Sequence, residues 1–206
     1  MKIKNWFKLE AKPSLLGFGC MRFPTIKDEK GNYKIDYPLT EKMIDYALKS
    51  GVNYIDTAYP YHNGESETVV GKVMKKYPRD SFYLATKLPM WKVESKEQVR
   101  QIFEEQLSKL QMEYVDFYLL HALNGERFEK VIKYEVLEEC LKLKEEGKIK
   151  YLGFSFHDDY EVFEKIINHY NWDFCQIQLN YMEIDEQAGL KGLKLAGDKN
   201  IPVVIM

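Results

Sequence analysis

The chain has few cysteines, no long hydrophobic run and no N-terminal secretion signal. Three cysteines, Cys20, Cys140 and Cys175, lie far apart and outside paired metal-ligand motifs, so we expect reduced structural thiols and no metal site within these residues. No stretch approaches the roughly 18 to 20 apolar residues of a membrane span, and lysine-rich residues 1–12 lack an apolar middle. These absences predict a cytoplasmic protein without a membrane partner.

An excess of basic charge is also absent. Lys and Arg total 30 against 32 Asp and Glu, which argues against a nucleic-acid partner. No GxGxxG motif follows a first strand and no GxxxxGK[ST] motif occurs, so a Rossmann dinucleotide site and a P-loop are not predicted. A composition of 45% hydrophobic and 30% charged residues predicts one globular domain over residues 1–206.

Short β-branched or aromatic runs alternate with amphipathic stretches of helical length, a pattern typical of βα units and a parallel sheet. The predicted strands are Leu15–Gly19, Asn53–Asp56, Phe82–Lys87, Val115–His121, Tyr151–Ser155, Phe174–Leu179 and Pro202–Met206. The predicted helices are Thr40–Ser50, Ser66–Lys76, Lys96–Leu110, Phe128–Glu146, Tyr160–Tyr170 and Leu190–Lys199.

This alternation favours an α/β fold of the (β/α)8 TIM barrel type over a doubly wound sheet. The barrel needs eight strands and about 250 residues, whereas this chain supplies seven strands and stops inside the apolar run IPVVIM. We therefore expect an incomplete barrel that lacks the last strand.

Several residues predict where helices begin and end. Thr40 is the expected N-cap of the first helix, and Gly51 and Gly147 follow helices where a left-handed C-cap is needed. Asp158 or Asp159 is expected to cap a helix rather than to join His157 in a metal site. Residues 22–38 and the LNGERF segment after His121 are polar, and we interpret both as solvated connectors, with a role beside a substrate mouth as the alternative.

Four reactive side chains follow or end three consecutive predicted strands. Asp56 ends the second strand, Tyr61 follows it after five residues, Lys87 ends the third and His121 ends the fourth. The carboxyl ends of parallel strands meet at one edge of a sheet. A lysine beside a tyrosine favours the phenolate and makes proton donation feasible, while an aspartate keeps the lysine charged. The histidine is suited to orienting a carbonyl oxygen or sharing in proton transfer.

The segments GFGCMRFP, IDTAYPYH, LATK and DFYLLH, together with these spacings, resemble the aldo-keto reductase family from about Leu15 to the last residue. The resemblance implies an oxidoreductase that reduces a small aldehyde or ketone to an alcohol with hydride from NADPH, or alternatively NADH. It implies that Tyr61 is the general acid, that Lys87 lowers its pKa, that Asp56 holds Lys87 and that His121 orients the carbonyl.

The same resemblance implies cofactor contacts from Met21, Arg22, Asp56, Ser155 and Gln176. Many family members have Asn after the serine, where this chain has Phe156 and His157. GFGCMRFP and GFSFH resemble a microbial branch whose longer members often end in an iron–sulfur module, so such a cluster is expected only in a C-terminal extension beyond Met206. We expect Tyr59 and Trp91 in a pocket wall.

Two other interpretations remain open at this stage. The alternatives to a reductase are a noncatalytic, cofactor-sensing or subunit-type relative of the family and an inert fragment. Open edges on the first and seventh strands predict self-association.

Overall fold

The computed structural model describes residues 1–3, 6 and 9–206. Seven parallel strands form one curled sheet in the order β1-β4-β5-β6-β7-β8-β9, and a separate antiparallel hairpin consists of β2 and β3. The strands are β1 Phe18–Gly19, β2 Thr25–Lys27, β3 Tyr33–Ile35, β4 Tyr54–Asp56, β5 Tyr83–Leu88, β6 Val115–Leu123, β7 Ile149–Phe156, β8 Phe174–Ile177 and β9 Val203–Ile205. This arrangement confirms the predicted incomplete (β/α)8 barrel.

Helices connect successive strands of the large sheet. They are α1 Tyr37–Lys49, α2 Ser66–Met74, α3 Lys96–Leu110, α4 Gly125–Lys133, α5 Val136–Glu145, α6 Tyr160–His169 and α7 Gly189–Asp198. Gly51 and Gly147 have φ angles of 86° and 76° just after α1 and α5, as the sequence predicted.

The two faces of the sheet contribute to different hydrophobic clusters. Side chains alternate between the faces of a strand, so in β6 Tyr118 and Leu120 join the large core under the helices, whereas Phe117 and Leu119 point into the smaller inner cluster. Trp6 packs against this inner cluster, with 5.2 Å between its ring centroid and that of Phe117. The segment before β1 therefore contributes an aromatic ring to the inside of the curled sheet.

The first helix begins earlier than predicted. Its N-cap is Asp36, whose Oδ1 accepts from the N–H of Leu39 at 3.0 Å, and not Thr40, which is completely buried inside the helix. Pro38 lies in the first turn, where its missing N–H costs nothing. The polar segment 22–38 is also more ordered than predicted, because it contains the β2–β3 hairpin.

The predicted helix Phe128–Glu146 is two helices. Glu135 has a φ angle of 50°, a left-handed conformation that ends α4 and starts α5. The LNGERF segment is not a connector, because Asn124 caps α4 by accepting from the N–H of Arg127 at 2.8 Å.

The remaining corrections concern β1 and the start of α6. The strand β1 contains only Phe18 and Gly19, and the side chains of Leu15 and Leu16 are exposed. Asp159 occupies the N-cap position of α6 without a side-chain capping bond, and Asp158 instead accepts from the N–H of Gly125 at 2.8 Å.

Over residues 1–3, 6 and 9–206, no helix is long and apolar enough to cross a membrane. The same residues contain no group of three His, Cys, Asp or Glu side chains placed to hold a metal ion.

Candidate active site

Three adjacent strands bring the predicted reactive residues to one edge of the sheet. The strands β4, β5 and β6 pair in parallel, with Asp56 opposite Ala85 and Lys87 opposite Leu119. Asp56 is the last residue of β4, Lys87 lies near the end of β5 and His121 near the end of β6. Their carboxyl ends therefore place the three side chains around one site.

The ammonium group of Lys87 has three partners. Its Nζ donates to Oδ1 of Asp56 at 2.6 Å and to the carbonyl oxygen of Thr57 at 2.8 Å. It also donates to Oη of Tyr61 at 3.2 Å. These partners use all three N–H donors of the ammonium group. Because only 1% of the Lys87 side chain is exposed, its position is fixed by this network.

Burial and charge shift the titration of Lys87 and Tyr61. Burial acts to lower the pKa of Lys87, but the neighbouring Asp56 and Tyr61 oxygens raise it above its ordinary value. Burial raises the pKa of Tyr61, and the charge of Lys87 offsets only part of that rise. Lys87 therefore acts on the Tyr61 pKa in the predicted direction, while burial of the phenol, which the sequence does not reveal, leaves the net pKa raised.

The loop that carries Tyr61 is held by its own backbone conformation and by hydrogen bonds at and beside it. His62 and Asn63 both have left-handed backbone conformations, with φ angles of 51° and 54°. Nε2 of His62 accepts from the N–H of Phe23 at 2.9 Å, which joins this loop to the loop after β1. The hydroxyls of Thr57 and Ser66 lie 2.9 Å apart and connect the end of β4 to the start of α2.

His121 lies on the other side of Tyr61, in an aromatic setting. Its ring centroid is 6.1 Å from that of Tyr61, in an edge-on arrangement, and 5.2 Å from that of Trp91. Burial, with the positive charges of Lys87, His157 and Arg127, lowers the pKa of His121 to about 2. Its imidazole is therefore neutral over the physiological range, and its buried Nδ1 has no hydrogen-bond partner among the described residues.

A cavity of about 710 Å³ opens beside these residues, between the two edge strands β1 and β9 of the sheet. Four of the five predicted cofactor contacts, Met21, Arg22, Asp56 and Gln176, line it together with Tyr61. The cavity is therefore a candidate cofactor site.

Ser155, the remaining predicted cofactor contact, lies next to Gln176. The two residues are opposite each other in the β7–β8 pairing, and both are buried. Oγ of Ser155 accepts from the N–H of Ala122 at 2.7 Å, whereas the buried Oε1 of Gln176 has no hydrogen-bond partner in the described part of the chain. Gln176 thus presents an unpaired acceptor beside the cavity.

The two aromatic residues predicted for a pocket wall differ in their contacts. Trp91 packs against His121. Tyr59 instead donates to Glu105 of α3 at 3.1 Å, and Nζ of Lys109 lies 4.1 Å from its ring centroid. Tyr59 is therefore engaged with α3 rather than with the reactive group.

One buried polar network was not predicted from the sequence. Oε1 of Glu67 accepts from Thr86 at 2.6 Å and from Gln106 at 2.7 Å, and all three side chains are fully buried. Nε2 of Gln106 also donates to the carbonyl oxygen of Lys87 at 3.0 Å. The only sequence signal is a glutamate and a glutamine at inward positions of amphipathic helices.

Comparisons with known proteins identify the family of the chain. The model of the Aldo/keto reductase family matches residues 15–206. A curated relative, the probable aldo-keto reductase 1 of Glycine max, is 36% identical over 154 residues, which cover 69% of this chain and 41% of that protein.

Solved structures are similar over nearly the whole chain. The holo form of aldo-keto reductase AKR11C1 from Bacillus halodurans matches with a TM-score of 0.79 and 27% identity, covering 100% of this chain and 65% of that one. An aldo-keto reductase from Klebsiella pneumoniae in complex with NADPH matches with a TM-score of 0.73 and 25% identity, covering 94% and 63%. The chain thus spans less than two thirds of each of these three proteins. It belongs to the aldo/keto reductase family of oxidoreductases.

Proposed function

We propose that this chain carries the reactive centre of an NAD(P)H-dependent reductase that converts aldehydes or ketones to alcohols. The observation that carries the proposal is the buried Lys87, whose ammonium group contacts both Asp56 and Tyr61 at the wall of a cavity. A lysine with all its donors satisfied can hold a phenol in one position and stabilise the negative charge that proton donation leaves on it.

Tyr61 is the proton donor in this proposal. Its raised pKa keeps the phenol protonated at neutral pH, which is the form that a general acid requires. As the carbonyl oxygen gains negative charge, the Oη proton transfers to that oxygen. Lys87 then stabilises the resulting phenolate, and Asp56 balances the charge of Lys87.

His121 orients the substrate. Because its pKa is lowered to about 2, the imidazole is neutral and carries one N–H donor and one acceptor nitrogen. An N–H donor near Tyr61 can hold the carbonyl oxygen so that its reactive carbon faces the cavity. The ring of Trp91 packs against His121, with 5.2 Å between the two ring centroids.

The residues of the cavity fit a nicotinamide cofactor. The unpaired Oε1 of Gln176 can accept from the N–H of a carboxamide, and Ser155 retains a hydroxyl proton to donate to the carboxamide oxygen. Met21, Arg22 and Asp56 line the same cavity and would contact the bound cofactor. When bound, the cofactor would supply the hydride to the carbonyl carbon. We propose NADPH, which the Klebsiella relative binds, with NADH as the alternative.

The test is reduction of a panel of aldehydes by the intact protein, followed by NADPH consumption. Tyr61→Phe should lower kcat/KM by about 10²- to 10⁴-fold, the usual contribution of a positioned general acid. Tyr59→Phe is the matched control, because Tyr59 contacts α3, and its kcat/KM should stay within about twofold. NADPH titration by tryptophan fluorescence should give equal affinities for both variants.

The outcomes separate the possibilities. Equal activity of Tyr61→Phe and wild-type protein would refute the role of Tyr61. Saturable NADPH binding without turnover of any aldehyde would instead favour a noncatalytic, cofactor-sensing protein.

We also propose that the chain self-associates through the open edges of β1 and β9, which border the cavity. In the part of the chain that the structure describes, neither edge pairs with a further strand, and Leu15, Leu16 and Met206 expose apolar side chains nearby. Light scattering of this chain should show species larger than a monomer whose fraction rises with concentration, and a monomer at every concentration would contradict the proposal.

A further inference from the structure

A guanidinium group, that of Arg127, lies close to the candidate active site, beside the ring of Trp91. Arg127 is in the first turn of α4, directly after the end of β6. Its Cζ is 5.4 Å from the centroid of the Trp91 ring, and that ring is in turn 5.2 Å from the ring of His121. Trp91 therefore lies next to both the guanidinium of Arg127 and the ring of His121, the residue proposed to orient the carbonyl.

Arg127 is held in place by the backbone around it. Its Nη1 donates to the carbonyl oxygen of Ala122 at 2.6 Å, and its backbone N–H donates to Oδ1 of Asn124 at 2.8 Å. The indole face of Trp91 supports the guanidinium from one side. Such a restrained side chain loses little conformational entropy when it binds a ligand.

The charge of Arg127 is not neutralised by a carboxylate in ion-pair contact within the described residues. Arg79 and Arg100, by contrast, form ion pairs with Asp116 and Glu139 at 2.6 Å and 2.5 Å. The acid nearest to α4 in the adjoining loop, Asp158, is occupied by backbone N–H groups.

The basic groups around His121 all act on its pKa in the same direction. Lys87, His157 and Arg127 each disfavour a positive charge on His121. His157 follows β7 and is itself half-buried, with its pKa lowered chiefly by burial. The substrate side therefore combines a neutral donor at His121 with a fixed cation that has donors to spare.

We propose that Arg127 determines specificity by binding a carboxylate on the substrate, so that the preferred substrates are aldehydes or ketones that carry an acid group. This inference rests on the proposed carbonyl reduction. A planar guanidinium matches a carboxylate with two parallel hydrogen bonds, and Trp91 offers an apolar surface for the carbon skeleton between the acid and the carbonyl.

The kinetic test uses two substrates that differ only in charge, 4-formylbenzoate and its methyl ester, with the intact protein and NADPH. Arg127→Gln should lower kcat/KM for the acid by about 10- to 100-fold, the value of a charge-assisted hydrogen bond, and for the ester by less than about threefold. Arg127→Lys should recover part of the loss. Lys130→Gln, which changes a charge one turn further along α4, is the matched control and should leave both substrates unaffected.

A binding measurement keeps this inference separate from the proposed reaction. The alcohol product, 4-(hydroxymethyl)benzoate, cannot be reduced, and its binding beside Trp91 should quench tryptophan fluorescence in the wild-type protein but not in Trp91→Phe. Arg127→Gln should weaken this binding, and the methyl ester of the same alcohol should bind both proteins alike.

Equal losses for acid and ester in Arg127→Gln would show that Arg127 only supports the backbone at Ala122, and the inference would then be wrong. Failure of the wild-type protein to bind the acid more tightly than the ester would also overturn it. If the acid binds through Arg127 while neither aldehyde is reduced, the carboxylate site stands and the proposed reaction fails.

Discussion

Nε2 of His62 accepts a hydrogen bond from the backbone N–H of Phe23 at 2.9 Å. The bond connects the residue after Tyr61 to the residue after Arg22, so the proposed proton donor and the proposed cofactor loop share one contact. The two rings also stack, with 5.6 Å between their centroids. Because burial lowers the pKa of His62, its imidazole stays a neutral acceptor at physiological pH.

His62→Gly should weaken NADPH binding. Glycine tolerates the positive φ of this position but removes the acceptor, so the loop with Met21 and Arg22 loses a restraint. One neutral hydrogen bond corresponds to about a 2- to 12-fold rise in Kd, measured by fluorescence titration. Asn63→Gly is the control, since it replaces a neighbouring residue of the same backbone conformation, and equal Kd values for the two variants would contradict this coupling.

Removal of Lys87 should destabilise the fold more than removal of an exposed lysine. Lys87→Met leaves Asp56 as an uncompensated, largely buried charge, at a cost of about 3–5 kcal/mol. Lys49→Met breaks an ion pair with Asp45 on the surface and should cost less than about 1 kcal/mol. Urea unfolding gives both values.

The double variant Asp56→Asn with Lys87→Met tests the cause. If burial of an unpaired charge is responsible, adding Asp56→Asn should restore part of the stability lost in Lys87→Met. Additive losses would show that the two groups contribute independently.

His121 should make the fold sensitive to mild acid. Its folded pKa of about 2 lies below the unfolded value of 6.5, so between these values the unfolded chain binds a proton that the folded chain does not. The stability contributed by the neutral imidazole is therefore complete above about pH 6.5 and falls below it, by at most about 1.4 kcal/mol per pH unit.

Denaturant unfolding at pH 7.5 and pH 5 measures this effect. The wild-type protein should lose more stability between these pH values than His121→Asn, which has no titrating group at that position. His62 and His157, whose pKa values are also lowered, are present in both proteins and cancel in the comparison. Identical losses would show that His121 is protonated in the folded state.

Replacement of Glu67 by glutamine should cost less stability than its replacement by alanine. Burial raises its pKa, and its Oε1 accepts two hydrogen bonds that glutamine can also accept. The free energy of unfolding of Glu67→Gln should therefore be close to that of the wild-type protein. Above pH 4.5 the wild-type protein should lose stability relative to the variant, because Glu67 gives up its proton less readily in the folded state than in the unfolded chain. Glu67→Ala leaves Thr86 and Gln106 without this acceptor and should cost about 1–3 kcal/mol. Equal costs for the two variants would mean that the hydrogen bonds contribute nothing.

The sequence predicted the alternation of strands and helices and the meeting of Asp56, Tyr61 and Lys87, because both depend on local hydrophobic patterns and on the geometry of parallel strands. It did not predict the β2–β3 hairpin, whose strands are almost entirely exposed and so lack an apolar alternation. It also missed the break at Glu135, since glutamate carries no signal for a left-handed conformation.

Properties that depend on how deeply a side chain is buried could not be predicted from the sequence either. The net rise in the Tyr61 pKa follows from burial by residues distant in the chain. The contacts of Arg127 with Ala122 and Trp91 likewise depend on how β5, β6 and α4 pack together.

The most direct test of the central claim is transfer of deuterium from NADPH labelled at C4 to an aldehyde, read by mass spectrometry of the alcohol. The account predicts one deuterium on the new alcohol carbon with the intact wild-type protein and Tyr59→Phe, and transfer reduced by at least about 10²-fold with Tyr61→Phe. Bound NADPH that transfers no deuterium in the wild-type protein, or undiminished transfer in Tyr61→Phe, would contradict it.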